Sequence, residues 1–290
     1  MSPSWLQIII LALLQGAAEL LPVSSSAHVI LAEKLMGLDP SKPELTFLLV
    51  MLHTGTMFAV IVYFWKAWKE SYFSSIDRLS STLPGLVVAT VVTGIVGLGL
   101  QFVIEKVVLG GGAHAEVEQL FSNLTLIGGA LAAAGVLIIV AGLFGKTHTG
   151  DKDVSLPSSG WIGLVQALCL PFRGFSRSGA TISTAMLLGI GKRRAEEFSF
   201  ALAVILTPVV VGRELLRLLK VNKEAAATGA PMHLGPLLLP GVIGMVFSFL
   251  AGLVALRLLS SWLETGRWHY FGYYCLVLAV VVFGFAHAGY

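Results

Sequence analysis

Six stretches of this 290-residue chain, roughly 44–65, 83–104, 121–144, 197–219, 237–260 and 270–288, are apolar over at least the length of a bilayer crossing, which takes about 20 helical residues. Hydrocarbon offers no water to backbone N–H and C=O groups, so such stretches must close their hydrogen bonds internally as helices. Their ends carry interfacial aromatics: Trp65, Trp68 and Tyr72 after the first, and Trp262, Trp268 and Tyr270 around the last two. Charged residues make up only 12% of the chain, about half the share of a soluble domain. That excludes a soluble enzyme, and the apolar composition excludes disorder. Two cysteines, Cys169 and Cys275, exclude a disulfide scaffold, and a scattered net charge of +3 offers no nucleic-acid surface. Met1–Trp5 has no basic segment ahead of its apolar run, so a cleaved signal peptide is not expected. The chain is expected to be an all-α integral membrane protein forming one membrane domain over 1–290.

Two further regions are apolar but broken. Residues 5–21 and 23–37 are separated by Pro22, and residues 161–171 and 177–190 by Pro171 and Gly174. Each pair reads as a re-entrant helical hairpin, because irregular backbone at membrane depth is tolerated only where protein buries it or a wet cavity takes it up. The halves also match at an offset of about 150 residues. Leu14-Gln15-Gly16-Ala17 recurs as Val165-Gln166-Ala167-Leu168, Leu21-Pro22 as Leu170-Pro171, and Ser24-Ser25-Ser26-Ala27 as Ser176-Arg177-Ser178-Gly179-Ala180. Glu44–Leu49 lines up with Glu197–Leu202, and Leu83-Pro84-Gly85 with Leu239-Pro240-Gly241, each expected to open a span. Repeat one (about 1–150) and repeat two (about 151–290) would each hold one hairpin and three spans. An odd span count turns the second repeat over, giving an inverted pair whose hairpins meet near the midplane. The loops 66–82, 145–160 and 189–196 carry the clearest basic cluster, Lys192-Arg193-Arg194, which makes that face cytoplasmic and the termini external, although 213–223 on the other face is basic too.

The hairpins hold the residues that do not belong in hydrocarbon. Gln15 and Glu19 are four apart on one helix face, and Ser24, Ser25, Ser26 and His28 follow the break. The second hairpin carries Arg173, Gly174, Ser176, Arg177, Ser178 and Thr181. A charge inside a membrane helix costs roughly 2.5–3.5 kcal/mol on insertion scales. A lone Glu19–Arg177 pair would read equally well as a structural bridge. Joined by a histidine, a hydroxyl cluster and two broken helices, it points to a site. Helix N-termini restarting after Pro22 and Gly174 aim free N–H groups at anions, and the Arg177 fork suits phosphate oxygens. Ser176, Ser178 and Thr181 add neutral donors. Glu19 would then be protonated, act as a base, or hold a divalent cation against the phosphate. A serine beside an acid/base partner is the pattern for nucleophilic attack. His53, alone in mid-span with apolar Leu206 as its repeat counterpart, reads as a packed core histidine.

Gln15–His28, read as QGAAELLPVSSSAH, and Gly174–Thr181, read as GFSRSGAT, resemble the (E/Q)xxxE–PVSS–His and PGxSRSGxT stretches of bacterial undecaprenyl-pyrophosphate phosphatases. The spans between them match in number and order, so the resemblance covers essentially the whole chain. It implies hydrolysis of undecaprenyl pyrophosphate to undecaprenyl phosphate and phosphate, recycling the lipid carrier of peptidoglycan synthesis, with a link to bacitracin resistance. It implies a divalent cation, Mg²⁺ or Ca²⁺, at Glu19, and a site open to the outside of the plasma membrane. Carried over by position, Glu19, Ser25, His28 and Arg177 form the catalytic set. Gln15, Ser24, Ser26, Arg173, Gly174, Ser176, Ser178 and Thr181 are the substrate-binding neighbours. Two positions depart from the pattern: Gln15 leaves Glu19 as the motif's lone carboxylate, and Arg173 stands where the family has Pro. The expected partners are a polyprenyl diphosphate and membrane lipid, with a homodimer left open. Because inverted repeats with broken helices are also a transporter architecture, a lipid transporter or flippase is the alternative.

Overall fold

A computed structural model describes residues 3–39, 42–108, 110, 120, 123–145, 152–227 and 235–289. The protein is all-α, and among the described residues the one β-type pairing is an isolated bridge between Lys152 and Ile190. The helices are α1 (Trp5–Leu20), α2 (Ser25–Leu35), α3 (Pro43–Ser71), α4 (Ile76–Val103, continued by a π-helical turn at Ile104–Val108), α5 (Leu124–Phe144), α6 (Leu156–Leu168), α7 (Arg177–Leu187), α8 (Lys192–Ala227), α9 (Gly235–Glu264) and α10 (Trp268–His287).

Among the described residues six helices are long and apolar enough to cross a membrane: Glu44–Ser71, Ile76–Val107, Leu124–Phe144, Lys192–Lys223, Leu238–Glu264 and Trp268–His287. These are the six expected spans; the first, second, fourth and fifth run several residues longer, the third starts at Leu124 instead of 121, and the sixth is shifted to Trp268–His287. Pro84 and Pro240 do not open α4 and α9 but lie inside them. Ser75 caps α4 earlier, its hydroxyl accepting from Arg78 N, so the helix is already running when it meets Pro84. The outward faces are hydrocarbon-like: Val87, Val91, Ile95, Leu98 and Phe102 of α4 and Val242, Val246, Leu250 and Val254 of α9 are all largely exposed. Only lipid suits such a surface. The protein is therefore a multi-span membrane protein.

The other four helices are short, 16, 11, 13 and 11 residues, or about 16–24 Å at 1.5 Å per residue. None spans alone; they form two hairpins, α1–α2 and α6–α7. Leu21 leaves α1 in an extended conformation (φ −72°, ψ 150°) before Pro22. Ser24 restarts the chain as the α2 cap at φ 66°, the one non-glycine with positive φ among the described residues. In the second turn Gly174 sits at φ 103° with its α-carbon against the Ile127 carbonyl, where no Cβ fits. Ser176 then caps α7, accepting from Gly179 N. The two turns touch: Ser178 Oγ donates to Leu21 O at 3.3 Å, and Pro22 packs beside Gly179.

Lipid is as apolar as leucine, so close packing rather than water exclusion must hold the spans together. α1 runs parallel to α9, with Gly16 against Ser248 and Ala251 and Leu20 against Gly252. α6 runs parallel to α4, with Gly163 on Ala89 and Leu170 on Gly97. α5 and α10 are antiparallel, and Gly135 and Gly272 each face the other's carbonyl. α3 and α8 are antiparallel through Phe64–Phe200 and a Trp68 Nε1–H bond to Glu197 O at 3.1 Å. Large side chains from both halves, including Ile127, Leu131, Ile138, Ile182, Phe198, Leu202 and Trp268, are fully buried in the shared core.

At one end, Tyr72, Ser81, Thr82, Asp153 and Arg194 line a single cleft, so the α3–α4 connection, the segment before α6 and the start of α8 lie together. Arg194 bonds both Asp153 and the buried Glu197 at 2.9 Å, and Arg193 bonds Glu197 at 2.9 Å. Asp153 is thus an ion-pair partner and not merely part of a solvated loop; Asp151 lies outside the described residues.

Candidate active site

The helical period puts Gln15 and Glu19 on the same face of α1, and the structure bonds them, Gln15 Nε2–H to Glu19 Oε2 at 3.2 Å. The Pro22 break turns α2 back so that Ser25 Oγ–H donates to the same oxygen at 2.5 Å. From the other hairpin, the first residue of α7, Arg177, brings Nη2 to 3.8 Å from Glu19 Oε1. That separation is too long for a hydrogen bond. Arg177 Nη1 is buried and has no hydrogen-bond partner among the described residues. The guanidinium lies 5.7 Å over the Phe200 ring, a contact that holds it from one side. The Glu–Arg pair is therefore not a closed structural bridge, since a bridge would use the fork in two short bonds. The fork is held next to the carboxylate with donors unspent.

A narrow, open cleft lies over Glu19 and Arg177, walled by Thr56, Met57 and Val60 of α3 and by Ala203, Val204 and Thr207 of α8. The site thus sits between the middles of two spans, with an apolar flank suited to a hydrocarbon tail and a polar floor made by the hairpin tips.

The remaining sequence candidates divide. His28 Nδ1 faces the Ser24 carbonyl at 2.8 Å and so carries the proton; its Nε2 is 2.7 Å from Tyr274 OH, with the two rings stacked. Both nitrogens are engaged away from Glu19. Ser24 and Ser176 cap their helices. Ser178 ties one hairpin to the other through Leu21 O, and Ser26 is half-buried on α2. Thr181 differs from its expected place as a phosphate donor. It is fully buried, with its hydroxyl 2.6 Å from Ser199 Oγ and donating to Arg177 O at 2.8 Å, because one helical turn beyond Arg177 its side chain faces α8. Gly174 shapes the turn, and Arg173 lies half-buried beside it.

His53 is the residue that sequence reasoning missed. It is not alone in α3: its Nε2 is 3.2 Å from Gln15 Nε2 and 3.8 Å from Glu19 Oε2. The sequence signal for it is a histidine at mid-span depth, set against an apolar residue, Leu206, at the matching position of the second half.

A membrane-embedded carboxylate, a serine bonded to it and a half-unpartnered arginine, gathered by two broken hairpins, define a polytopic membrane protein with a partly buried charged centre. Residues 8–281 match the family model described as "Bacitracin resistance protein BacA". The chain is 60% identical over 278 residues to "Undecaprenyl-diphosphatase 2" of Acinetobacter baylyi, covering 96% of each chain. It is also 34% identical to "Undecaprenyl-diphosphatase" of Desulfosudis oleivorans, over 95% of this chain and 96% of that one. With "Undecaprenyl-diphosphatase" of Korarchaeum cryptofilum it shares 31% identity over 95% of this chain and 97% of the other. The protein belongs to the bacitracin resistance protein BacA family.

Proposed function

We propose that the protein hydrolyses undecaprenyl diphosphate to undecaprenyl phosphate and inorganic phosphate, recycling the lipid carrier of cell-wall synthesis. Full-length relatives named for that activity support the substrate. The observation that carries the chemistry is the buried, unpartnered Arg177 Nη1 beside Glu19. An orphaned donor of this kind is costly unless a ligand satisfies it, and a terminal phosphoryl group offers the oxygens that the fork fits.

The polyprenyl chain lies along the apolar wall between α3 and α8, with the diphosphate at the hairpin tips. Arg177 binds the terminal phosphoryl oxygens and neutralises charge as the bridging bond breaks. Ser25 is the nucleophile. Its hydroxyl already donates to Glu19 Oε2, so Glu19 is the base that takes the proton as Oγ attacks phosphorus. The bridging P–O bond breaks, undecaprenyl phosphate leaves, and water then cleaves the Ser25 phosphoester to phosphate. His28, engaged through both ring nitrogens, orients the start of α2. Gln15, Ser24, Ser26, Arg173, Gly174, Ser176 and Ser178 shape the cradle.

The donor set fits a hard divalent cation, Mg²⁺ or Ca²⁺, only in part. Among the described residues no group of three or more His, Cys, Asp or Glu could hold a metal by itself, but Glu19 with substrate oxygens is a usual arrangement for Mg²⁺. When bound, the cation would supply charge neutralisation at the diphosphate. We place the site on the outer side of the bacterial plasma membrane, supported by the gathering of Arg193 and Arg194 at the opposite end. An inverted pair of repeats is supported by the helix directions, α1 parallel to α9 and α6 to α4, with α3/α8 and α5/α10 antiparallel.

Purified protein in detergent should release phosphate from undecaprenyl diphosphate when divalent cation is present and lose that activity, reversibly, on chelation. Arg177→Ala and Glu19→Ala should each reduce turnover by roughly 10²–10³-fold or more while eluting as folded protein. Wild-type-like turnover in either variant would overturn the assignment.

A further inference from the structure

We propose that His53 is a positioning residue of the hydrolytic site, setting the Glu19 carboxylate through the Gln15 amide. The inference rests on the hydrolytic reading above and deepens it.

With the His53 imidazole neutral, the hydrogen bonds around Gln15 admit one consistent assignment. His53 Nδ1 is 2.9 Å from the Leu49 carbonyl, which can only accept, so Nδ1 carries the proton. In the neutral ring Nε2 is then an acceptor. The group that it meets at 3.2 Å is the Gln15 amino nitrogen, a two-hydrogen donor. One N–H of that group goes to His53 Nε2 and the other to Glu19 Oε2, also at 3.2 Å. Nε2 and Oε2 are 3.8 Å apart, closer than the spread of one NH₂ group's hydrogens would set them, so both bonds are bent, though each remains within reach of its own N–H. Glu19 Oε2 also receives Ser25 Oγ–H, so the chain from the Leu49 carbonyl through His53, Gln15 and Glu19 to Ser25 has a donor and an acceptor at every link.

Each link constrains the next. The Leu49 bond pins the imidazole ring one helical turn along α3, and the ring fixes which way the buried Gln15 amide is turned. With its N–H₂ edge toward Glu19, the amide holds Oε2 where Ser25 reaches it and leaves Oε1 toward Arg177. Without an acceptor at residue 53, the second Gln15 N–H is buried unpaired. The amide is then held only through its single bond to Glu19, so it can swing with the carboxylate and no longer fixes Oε2 in the position that Ser25 needs. Glutamine at position 15, in place of a second carboxylate, is what makes a neutral acceptor at 53 the matching partner. This accounts for a lone histidine in a span whose counterpart in the second half, Leu206, is apolar.

The test uses the purified full-length protein in detergent, with undecaprenyl diphosphate as substrate, reading kcat and KM. His53→Leu should lower kcat by about 10–100-fold, the usual cost of losing an orienting partner, with KM changed by no more than about twofold. His53→Gln, whose amide oxygen reaches the place of Nε2, should recover most of the loss. The double variant Gln15→Leu/His53→Leu should be no slower than the slower single variant, since both cut one chain. Unchanged kcat in His53→Leu, a His53→Gln variant as slow as His53→Leu, or losses that multiply in the double variant would each overturn the inference. Should His53→Leu not fold, His53→Asn, polar but one bond too short, replaces it against His53→Gln, and equal rates for the two count against the proposal. A wild-type protein that hydrolyses no polyprenyl diphosphate removes the hydrolytic reading and this inference with it, an outcome distinct from active enzyme with an indifferent His53.

Discussion

Arg177 and Glu19 stand close enough to feel each other's charge and too far apart to satisfy it, and that gap is what makes the pair available to a ligand. Ser25 completes the triangle, and its bond to Glu19 gives the hydroxyl a ready path for its proton. A phosphoryl-enzyme should therefore form on Ser25: acid-quenched, substrate-treated protein should yield a phosphorylated peptide containing this serine, and Ser25→Ala should yield none while losing turnover. Thr181 should behave differently. Its hydroxyl serves Ser199 and the Arg177 carbonyl, so Thr181→Val should lower stability by about 1–3 kcal/mol, seen as a lower midpoint of thermal unfolding in detergent. Phosphate release per folded molecule should stay within a few-fold. A hundredfold drop in kcat would return Thr181 to the substrate-contacting group. Gly174→Ala should be costly in another way, because its φ of 103° is strained for any L side chain and the Ile127 carbonyl occupies the space of a Cβ; about 1–3 kcal/mol is expected from the backbone alone.

At the scale of elements, the hairpins are short because polar breaks end them, and they are held because glycine lets longer helices approach. Gly16 lies one turn before Glu19, with an added Cβ only 2.5 Å from Ser248 O. Gly142 lies far along α5, where a Cβ would meet His269 N at 2.6 Å. Alanine at either position must push helices apart, so both variants should unfold at lower temperature. Only Gly16→Ala should also lower the kcat of the folded fraction, by about tenfold or more, since a displacement near 1 Å at a reacting group costs up to about 10²-fold. Equal kcat in the two variants would show that α1 can shift without moving the carboxylate. The helix boundaries were readable in the sequence to within a turn or two. The exceptions, Pro84 and Pro240, misled because proline is a good marker of a helix start but tolerable inside a long membrane helix once capping residues such as Ser75 have begun it earlier.

For the whole molecule, sidedness is the property that connects fold to physiology. Asp39, in the α2–α3 connection, and Ser74, in the α3–α4 connection, are exposed and lie at opposite ends of α3. In a background with Cys169 and Cys275 replaced, Asp39→Cys should react with an impermeant maleimide on intact cells, whereas Ser74→Cys should react only after permeabilisation. The reverse pattern would turn the site toward the cytoplasm. The basic end is built as a network: Glu197 is buried and held by Arg193 and Arg194, and Arg194 reaches on to Asp153.

The amino-acid sequence alone determined the medium, the spans, the two breaks and the charged residues placed where hydrocarbon should be. These depend on hydropathy, helical period and turn chemistry, all written along a single segment, and the i, i+4 pairing of Gln15 with Glu19 is of the same kind. The tertiary structure decided which atoms meet. His53 joins Gln15 from 38 residues away, Tyr274 reaches His28 from 246 residues away, and Thr181 turns to Ser199 instead of the cleft. No local pattern carries that information, because every face of a membrane helix is nearly as apolar as the lipid around it. Which faces come together is settled by glycine-scale shape and by a few buried hydrogen bonds, and those exist only once the helices have packed.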